Sequence, residues 1–466
     1  MSQMKMGDNR KIEGAVDSIS NLPDEILQQH ILCFIPTKIS ISTSLLSRRW
    51  RHVWCEVHSI SLDVDTLTAA SVNETLNRYA APKTKNFHLR IKPITENKPY
   101  IDRWIKWAMS HNVESLSLDL CFSHFKYELP DFFFNSSSVK QLKINLQFYH
   151  MIVLQPECTI SWTSLQKLSL TSCSLSNESM AKILSGCPVL ENLTFDYWNE
   201  LNVLDLSKSL RLRTLELQRD EWYQGPRQIV APHIHCLRLH DSGLSCTLVD
   251  VSSLAEANLE ISCVSDRYTD RIYDLETMGL KMLEKLHNVE KLTFGGNFIQ
   301  LLSLAEIRGP VPILWGGAPF PILKVKALTL DINICQYVIP GIERLLQNSP
   351  DLEKLKVRGR TRFQVPEEFA GNYLKLRGFN VNKCWRSKDG VSWNKCCEDL
   401  KSEHVSSLVE LVLKNTEKLD KMVVLLDERY LNFKIEDVVV PTLPRNKSVN
   451  VVLSNTKLMG SDSEEW

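Results

Sequence analysis

From residue 113 onward, apolar side chains recur in one short pattern, L-x-x-L-x-L. It appears as VESLSL (113–118), VKQLKI (139–144), LQKLSL (165–170), LENLTF (190–195), LRTLEL (212–217), IHCLRL (234–239), VEKLTF (289–294), VKALTL (325–330) and LEKLKV (352–357). The fourth position falls at 116, 142, 168, 193, 215, 237, 292, 328 and 355. Most intervals lie within about 20–29 residues, the period at which one strand and one return segment stack as a solenoid. The step from 237 to 292 leaves room for a weaker repeat, SLAEANLEI (253–261). The step from 292 to 328 carries IRGPVPILWGGAPFP, whose Gly and Pro predict a long loop.

The chain also aligns with itself. KILSGCPVLENLTF (182–195), RLLQNSPDLEKLKV (344–357) and LVLKNTEKLDKMVV (411–424) superpose without gaps. Each predicts a helix end, a polar turn and a strand. Cys187-Pro188 and Ser349-Pro350 stop the helix because Pro cannot continue it. One strand and one helix cannot make a core, but stacked neighbours share one. Strand alternation turns Leu168 and Leu170 inward. It leaves Lys167, Ser169 and Thr171 on the open face, followed by Asn192, Thr194 and Asp196, then Thr214, Glu216 and Gln218. An α/β chain follows, with a curved parallel sheet, an accessible concave face and helices on the convex side.

A different pattern precedes the repeats. Residues 17–57 are dense in apolar side chains at helical spacing and are broken twice by turn chemistry. Pro23 suits a first helical turn, and Asp24 and Glu25 suit the positive end of a helix dipole. Ile26, Leu27, His30 and Ile31 form a stripe. Pro36 ends the helix, and Thr37 is placed to cap a second one. Ser47 is placed to cap a third, in which Trp50, Val53 and Trp54 share a face. Three short helices cannot bury all of this surface among themselves. The surplus is met either by a partner or by packing on the rest of the chain, and the pattern alone leaves both open. Beyond the module, SISLDVD reads as a strand and DRWIKWAM as an amphipathic helix.

Composition narrows the function. The chain has 466 residues, enough for two or three domains or one long solenoid. Lys plus Arg equals Asp plus Glu at 55 each, which gives no general attraction to nucleic acid or anionic membrane. The 13 Cys are scattered and odd in number, and no apolar leader precedes them. The expectation is free thiols in a reducing compartment, nucleus or cytoplasm. No apolar run is long enough to span a membrane.

Candidate chemistry is sparse. HIHC (233–236) has metal-ligating residue types, but alternate strand residues face opposite ways and no second ligand pair has suitable spacing. Cys384, Cys396 and Cys397 form the densest thiol cluster, again without structural-zinc spacing. Phosphate-loop and nucleophile-elbow motifs are missing, so no catalytic residue, metal or cofactor is assigned. Lys354, Lys356 and Arg358, on the open face of the last clear repeat, are the candidate client-binding residues for an acidic segment or a phosphate. A solvated strand face is the plainer account of the same three charges.

Leu22-Pro23-Asp24-Glu25-Ile26-Leu27, Ile35-Pro36-Thr37-Lys38, Thr43-Ser44-Leu45-Leu46-Ser47-Arg48-Arg49-Trp50 and Trp54 together resemble a plant-type F-box. With the repeats that follow, the chain is similar to plant F-box and leucine-rich-repeat proteins. SSLVELVLKNTEKLDKMVVLL resembles their C-terminal FBD region. The resemblance implies 17–57 as F-box, 58–110 as a transition, 111–365 as leucine-rich repeats and 366–453 as FBD-like region, with disordered tails at 1–16 and 454–466. It further implies a non-catalytic substrate-recognition subunit of a cullin-based (SCF-type) ubiquitin ligase. The F-box would dock on a Skp-family adaptor and the repeats would hold a client. The candidate docking set is Leu22, Pro23, Ile26, Leu27, Ile31, Leu45, Leu46, Trp50 and Trp54, some of which must form the module's own core. Where the family has an acidic residue after Thr37-Lys38, this chain has Ile39-Ser40-Ile41. The alternatives are a repeat scaffold without ligase coupling and a small-ligand co-receptor.

Overall fold

The computed structural model describes residues 19–456 except 20, 65–66, 92–97, 122–126, 148–151, 154–157, 197–200, 220–225, 242–245, 263–271, 309–319, 336–337, 360–399, 428–430, 432 and 441–448. Residues 1–16, most of the Gly/Pro loop and the segment bearing Cys384, Cys396 and Cys397 therefore lie outside the described residues. The chain divides into two compact units, Met1–Phe125 and Lys126–Trp466. No helix among the described residues is long and apolar enough to cross a membrane.

The first unit opens with three short helices, α1 Asp24–His30, α2 Thr37–Ser42 and α3 Trp50–Val53. Pro23 starts α1, and its carbonyl accepts the Ile26 and Leu27 N–H groups at 3.1 and 3.2 Å. Leu27, Leu32, Trp50, Val53 and Val57 form one buried cluster, against which Leu22, Ile31, Cys33 and Ile35 pack. Two caps differ from the sequence reading. Pro36, not Thr37, holds the cap position of α2, and Thr37 is its first helical residue. The Thr37 Oγ1 instead accepts the Ser61 N–H at 2.8 Å, a bond across 24 positions that a local pattern cannot reveal. Ser47 does not cap α3. Arg49 precedes that helix without a side-chain cap. Its guanidinium reaches back to Asp24 Oδ1 at 2.7 Å and to the Leu22 carbonyl.

The segment read as a transition already carries the stacked sheet. Strands β1 Ser59–Asp63, β2 Asn86–Ile91 and β3 Ser115–Cys121 are parallel, with Ile60 opposite Phe87 and Phe87 opposite Leu116. Helices α4 Ala69–Arg78 and α5 Lys98–Ser110 lie between them in sequence. The Trp104 Nε1–H donates to Asn73 Oδ1 at 2.9 Å and ties the two helices together. The three-helix module is bonded both to this sheet, through Thr37 and Ser61, and to the segment that follows α4. Besides the Thr37–Ser61 bond, the Cys55 carbonyl accepts the Ala80 and Ala81 N–H groups at 2.9 and 3.1 Å. The Tyr79 hydroxyl donates to the Val57 carbonyl.

The second unit is a run of parallel strands in sequence order. They are β4 Gln141–Gln147, β5 Lys167–Thr171, β6 Asn192–Asp196, β7 Thr214–Arg219, β8 Cys236–Asp241, β9 Glu256–Ile261 and β10 Lys291–Gly296. β11 Ala327–Ile332, β12 Lys354–Gly359, β13 Lys421–Asp427 and β14 Asn450–Thr456 complete the run. The weaker repeat at 253–261 is real and supplies β9. Leu168, Leu193, Leu215, Leu237, Ala257, Leu292, Leu328 and Leu355 lie opposite one another from strand to strand, all buried.

Register is also held by the backbone. At the entries of β6 to β9 two consecutive N–H groups converge on one carbonyl of the preceding repeat: Glu191 and Asn192 on Gln166, Arg213 and Thr214 on Glu191, His235 and Cys236 on Arg213, Ala255 and Glu256 on His235. This column satisfies groups that the irregular turn would otherwise bury unpaired.

The second layer changes character along the unit. Helices α6 Asn177–Ser185, α7 Ile272–Lys285, α8 Phe298–Arg308, α9 Ile339–Gln347 and α10 Ser402–Asn415 return the chain in the longer repeats. In the short repeats from 196 to 256 the return is a strand. Val203–Asp205, Gln228–Val230 and Thr247–Asp250 form their own parallel sheet, flanked by α6 and α7. Helices α8 and α9 approach closely at Gly341, whose N–H donates to Ser303 Oγ at 2.8 Å. A side chain there would meet the Ile299 carbonyl oxygen at 2.5 Å.

Candidate functional site

Two surfaces stand out, one in each unit. On the three-helix module, burial separates the candidate docking residues. Leu27, Trp50 and Trp54 are buried, with Leu27 at 0% exposure, so they have almost no surface to offer a partner. Leu22 and Ile31 are half-buried against the core cluster. Pro23, Ile26, Leu45 and Leu46 are exposed, the last two at 88% and 69%. Sequence reasoning missed Phe34, which is 81% exposed at the turn between α1 and α2. The cue was its place just before the Pro36 break, where a helix-stripe reading does not extend. Large apolar side chains at this exposure are unfavourable by roughly 1.5–3 kcal/mol each against burial, which makes them candidates for contact. α2 has no acidic residue in its first turn, and Ile39 is exposed at that position.

The second surface is the polar face of the sheet in the second unit. A cavity of about 440 Å³ lies over strands β7 to β12. Its lining includes Glu216, Arg238, His240, Glu256, Glu260, Asp331, Lys356 and Arg358 around a floor of Asn258, Thr293, Gly295 and Thr329. Of the predicted basic patch, Lys356 and Arg358 line the cavity. Lys354 is exposed beside it. Glu216 was already placed on the open face by the strand pattern; Glu256, Glu260 and Asp331 were missed, because only stacking brings β9, β10, β11 and β12 together in that order. Acids stand beside basic side chains across the strands: Arg238 lies opposite Glu216, and His240 Nδ1 is 3.2 Å from Glu260 Oε2. Arg358 Nη1 is 4.0 Å from Asp331 Oδ2. Burial, and then the neighbouring Glu216 carboxylate, push the Asp196 carboxyl on β6 above its ordinary value, against the opposing effect of Lys143.

The other candidates resolve into structural positions. His233 and His235 lie in the turn before β8 rather than on it, and only Cys236 of the HIHC run is in the strand. His233 Nε2 is 3.2 Å from the Ser207 carbonyl and His235 Nδ1 is 3.1 Å from the His233 carbonyl. Cys187 is buried, which pushes its thiol up to about 12 and makes it a poor nucleophile.

Comparison with known proteins assigns the class. The F-box domain family matches residues 19–61. A family described as FBD-associated F-box protein At5g56370, LRR repeats, matches residues 101–217. The chain belongs to the F-box/LRR-repeat proteins. It is 54% identical over 451 residues to the Putative F-box/LRR-repeat protein At3g18150 of Arabidopsis thaliana, covering 96% of this chain and 94% of that one. It is 45% identical to the F-box/LRR-repeat protein At5g02910 of Arabidopsis thaliana, covering 95% of each. In general such proteins are non-catalytic substrate adaptors of SCF-type ubiquitin ligases, and the F-box binds Skp-family adaptors.

Proposed function

We propose that this chain is the substrate-recognition subunit of a cullin-based ubiquitin ligase. Its F-box docks on a Skp-family adaptor and through it on a cullin, in the nucleus or cytoplasm. The strands of the second unit hold the client. The observation that carries the reading is the division of labour on the three-helix module. Its core is closed by Leu27, Leu32, Trp50, Val53 and Val57, yet Pro23, Ile26, Leu45 and Leu46 remain outside it. The surplus apolar surface therefore belongs to a partner. The mechanism is positional: the receptor raises the effective concentration of client lysines at the ubiquitin-conjugating partner and performs no covalent step itself.

Co-elution of the purified chain with a panel of Skp-family adaptors tests this. The wild-type chain is expected to form a one-to-one complex. The Pro23→Ala/Ile26→Ala variant is expected to elute alone with unchanged circular dichroism. A wild-type chain that elutes apart from every adaptor overturns the proposal.

A further inference from the structure

The cavity in the second unit has a polarity that the sequence did not reveal. At one end, on β7 to β9, stand Glu216, Glu256 and Glu260, with Arg238 as the permanent cation among them. Asp196 adjoins this end on β6, and its raised carboxyl pKa reflects, after burial, the negative field of Glu216. At the other end, on β12, stand Lys356 and Arg358, with Asp331 on β11 as the adjoining acid. The register sets Lys356 between Thr329 and Val423 in the same row of the face. Between the ends the floor is small and uncharged. Gly295 has no side chain, and a Cβ built there would lie 3.2 Å from Glu260 Cγ.

Resting on the receptor reading, we propose that this cleft takes an extended client segment with a cationic side chain toward Glu216, Glu256 and Glu260 and an anionic side chain toward Lys356 and Arg358. The spacing follows from the sheet. Neighbouring strands lie about 4.8 Å apart, so the span from β9 to β12 is about 14 Å and that from β7 to β12 about 24 Å. An extended chain rises about 3.3 Å per residue, which sets the two charges roughly four to seven residues apart. Paired charges of both signs reject a segment of a single sign, because it would set a like charge against one end.

Fluorescence polarisation with synthetic peptides tests the proposal. The probe is a labelled, acetylated and amidated peptide with one Arg and one Asp separated by four uncharged residues. Three controls replace the Asp by Ala, replace the Arg by Ala, or set the two charges side by side. The full chain is expected to bind the probe about tenfold more tightly than any control, with an advantage that shrinks as salt is raised. Lys356→Glu/Arg358→Glu is expected to reverse the choice and favour a peptide with Arg at both positions, an outcome that misfolding cannot produce. Gly295→Val is expected to weaken the probe by filling the floor. Equal binding of probe and controls by the wild-type chain, or an unchanged preference in the double variant, overturns the proposal. Adaptor co-elution is measured on the same proteins. Lost peptide selectivity with adaptor binding intact removes only this inference, whereas selective peptide binding without adaptor capture removes the receptor reading and leaves the cleft.

Discussion

Single residues of the F-box divide into two energetic classes that the sequence does not distinguish. Leu27 and Leu45 are the same residue type, both in apolar runs, yet one is fully buried and the other is 88% exposed. The distinction arises from where α1 and α3 cross, which local spacing does not encode. Leu27→Ala is expected to cost about 2–5 kcal/mol in urea unfolding. Leu45→Ala is expected to stay within about 0.5 kcal/mol of wild type. Equal midpoint shifts in the two variants would contradict the burial assignment. Asp196 offers a second test, through pH. Its folded-state pKa is raised, so the folded chain binds that proton more tightly than the unfolded one. The resulting penalty is absent below the ordinary aspartate value of about 3.9 and full above the raised one. Asp196→Asn is therefore expected to melt at a higher temperature than wild type at pH 7. That advantage should narrow as the pH is lowered, and a constant or reversed difference would exclude the assignment.

Elements were legible where one period governed them. The L-x-x-L-x-L motifs located β3 to β8 and β10 to β12, and LDKMVV located β13. β2 was missed because Thr84 stands where the motif has its leading apolar residue. β9 was only suspected because Ala257 stands where its neighbours carry Leu. The return strands at 203–205, 228–230 and 247–250 are too short to show a period, and their repeats leave little room for a helix with two turns. Caps were read least well, since the bond of Thr37 depends on β1 being packed beside α2. α2 itself lacks first-turn acid, so Ile39→Asp is expected to stabilise it by about 0.3–1 kcal/mol and to tighten adaptor binding modestly. Calorimetric titration of the adaptor into both proteins checks this, and weaker binding by the variant would show that Ile39 itself makes contact.

At the scale of the whole molecule, each compact unit carries one of the two proposed tasks. The first unit presents apolar side chains on a module bonded to β1 through Thr37 and to the segment after α4 through Cys55 and Val57. The second presents a mixed-charge face built from strands far apart in sequence. Stability within the second unit is that of a stacked array, in which each strand depends on its neighbours. Among the described residues β14 pairs on one side only, with β13, and Val452, Ser454 and Asn455 are exposed. Its amides are expected to exchange hydrogen faster than those of β8, which is paired on both sides. Comparable protection in β8 and β14 would mean that the array unfolds as one body. The account turns most on the exposed apolar surface of the F-box. Its most direct test is the affinity for a Skp-family adaptor of wild type and of Leu45→Asp/Leu46→Asp, with thermal melts run in parallel. The account predicts that the variant loses binding by about a hundredfold or more while its melting temperature stays unchanged, since burying each leucine is worth roughly 1.5–3 kcal/mol. Unchanged affinity in a folded variant would contradict it.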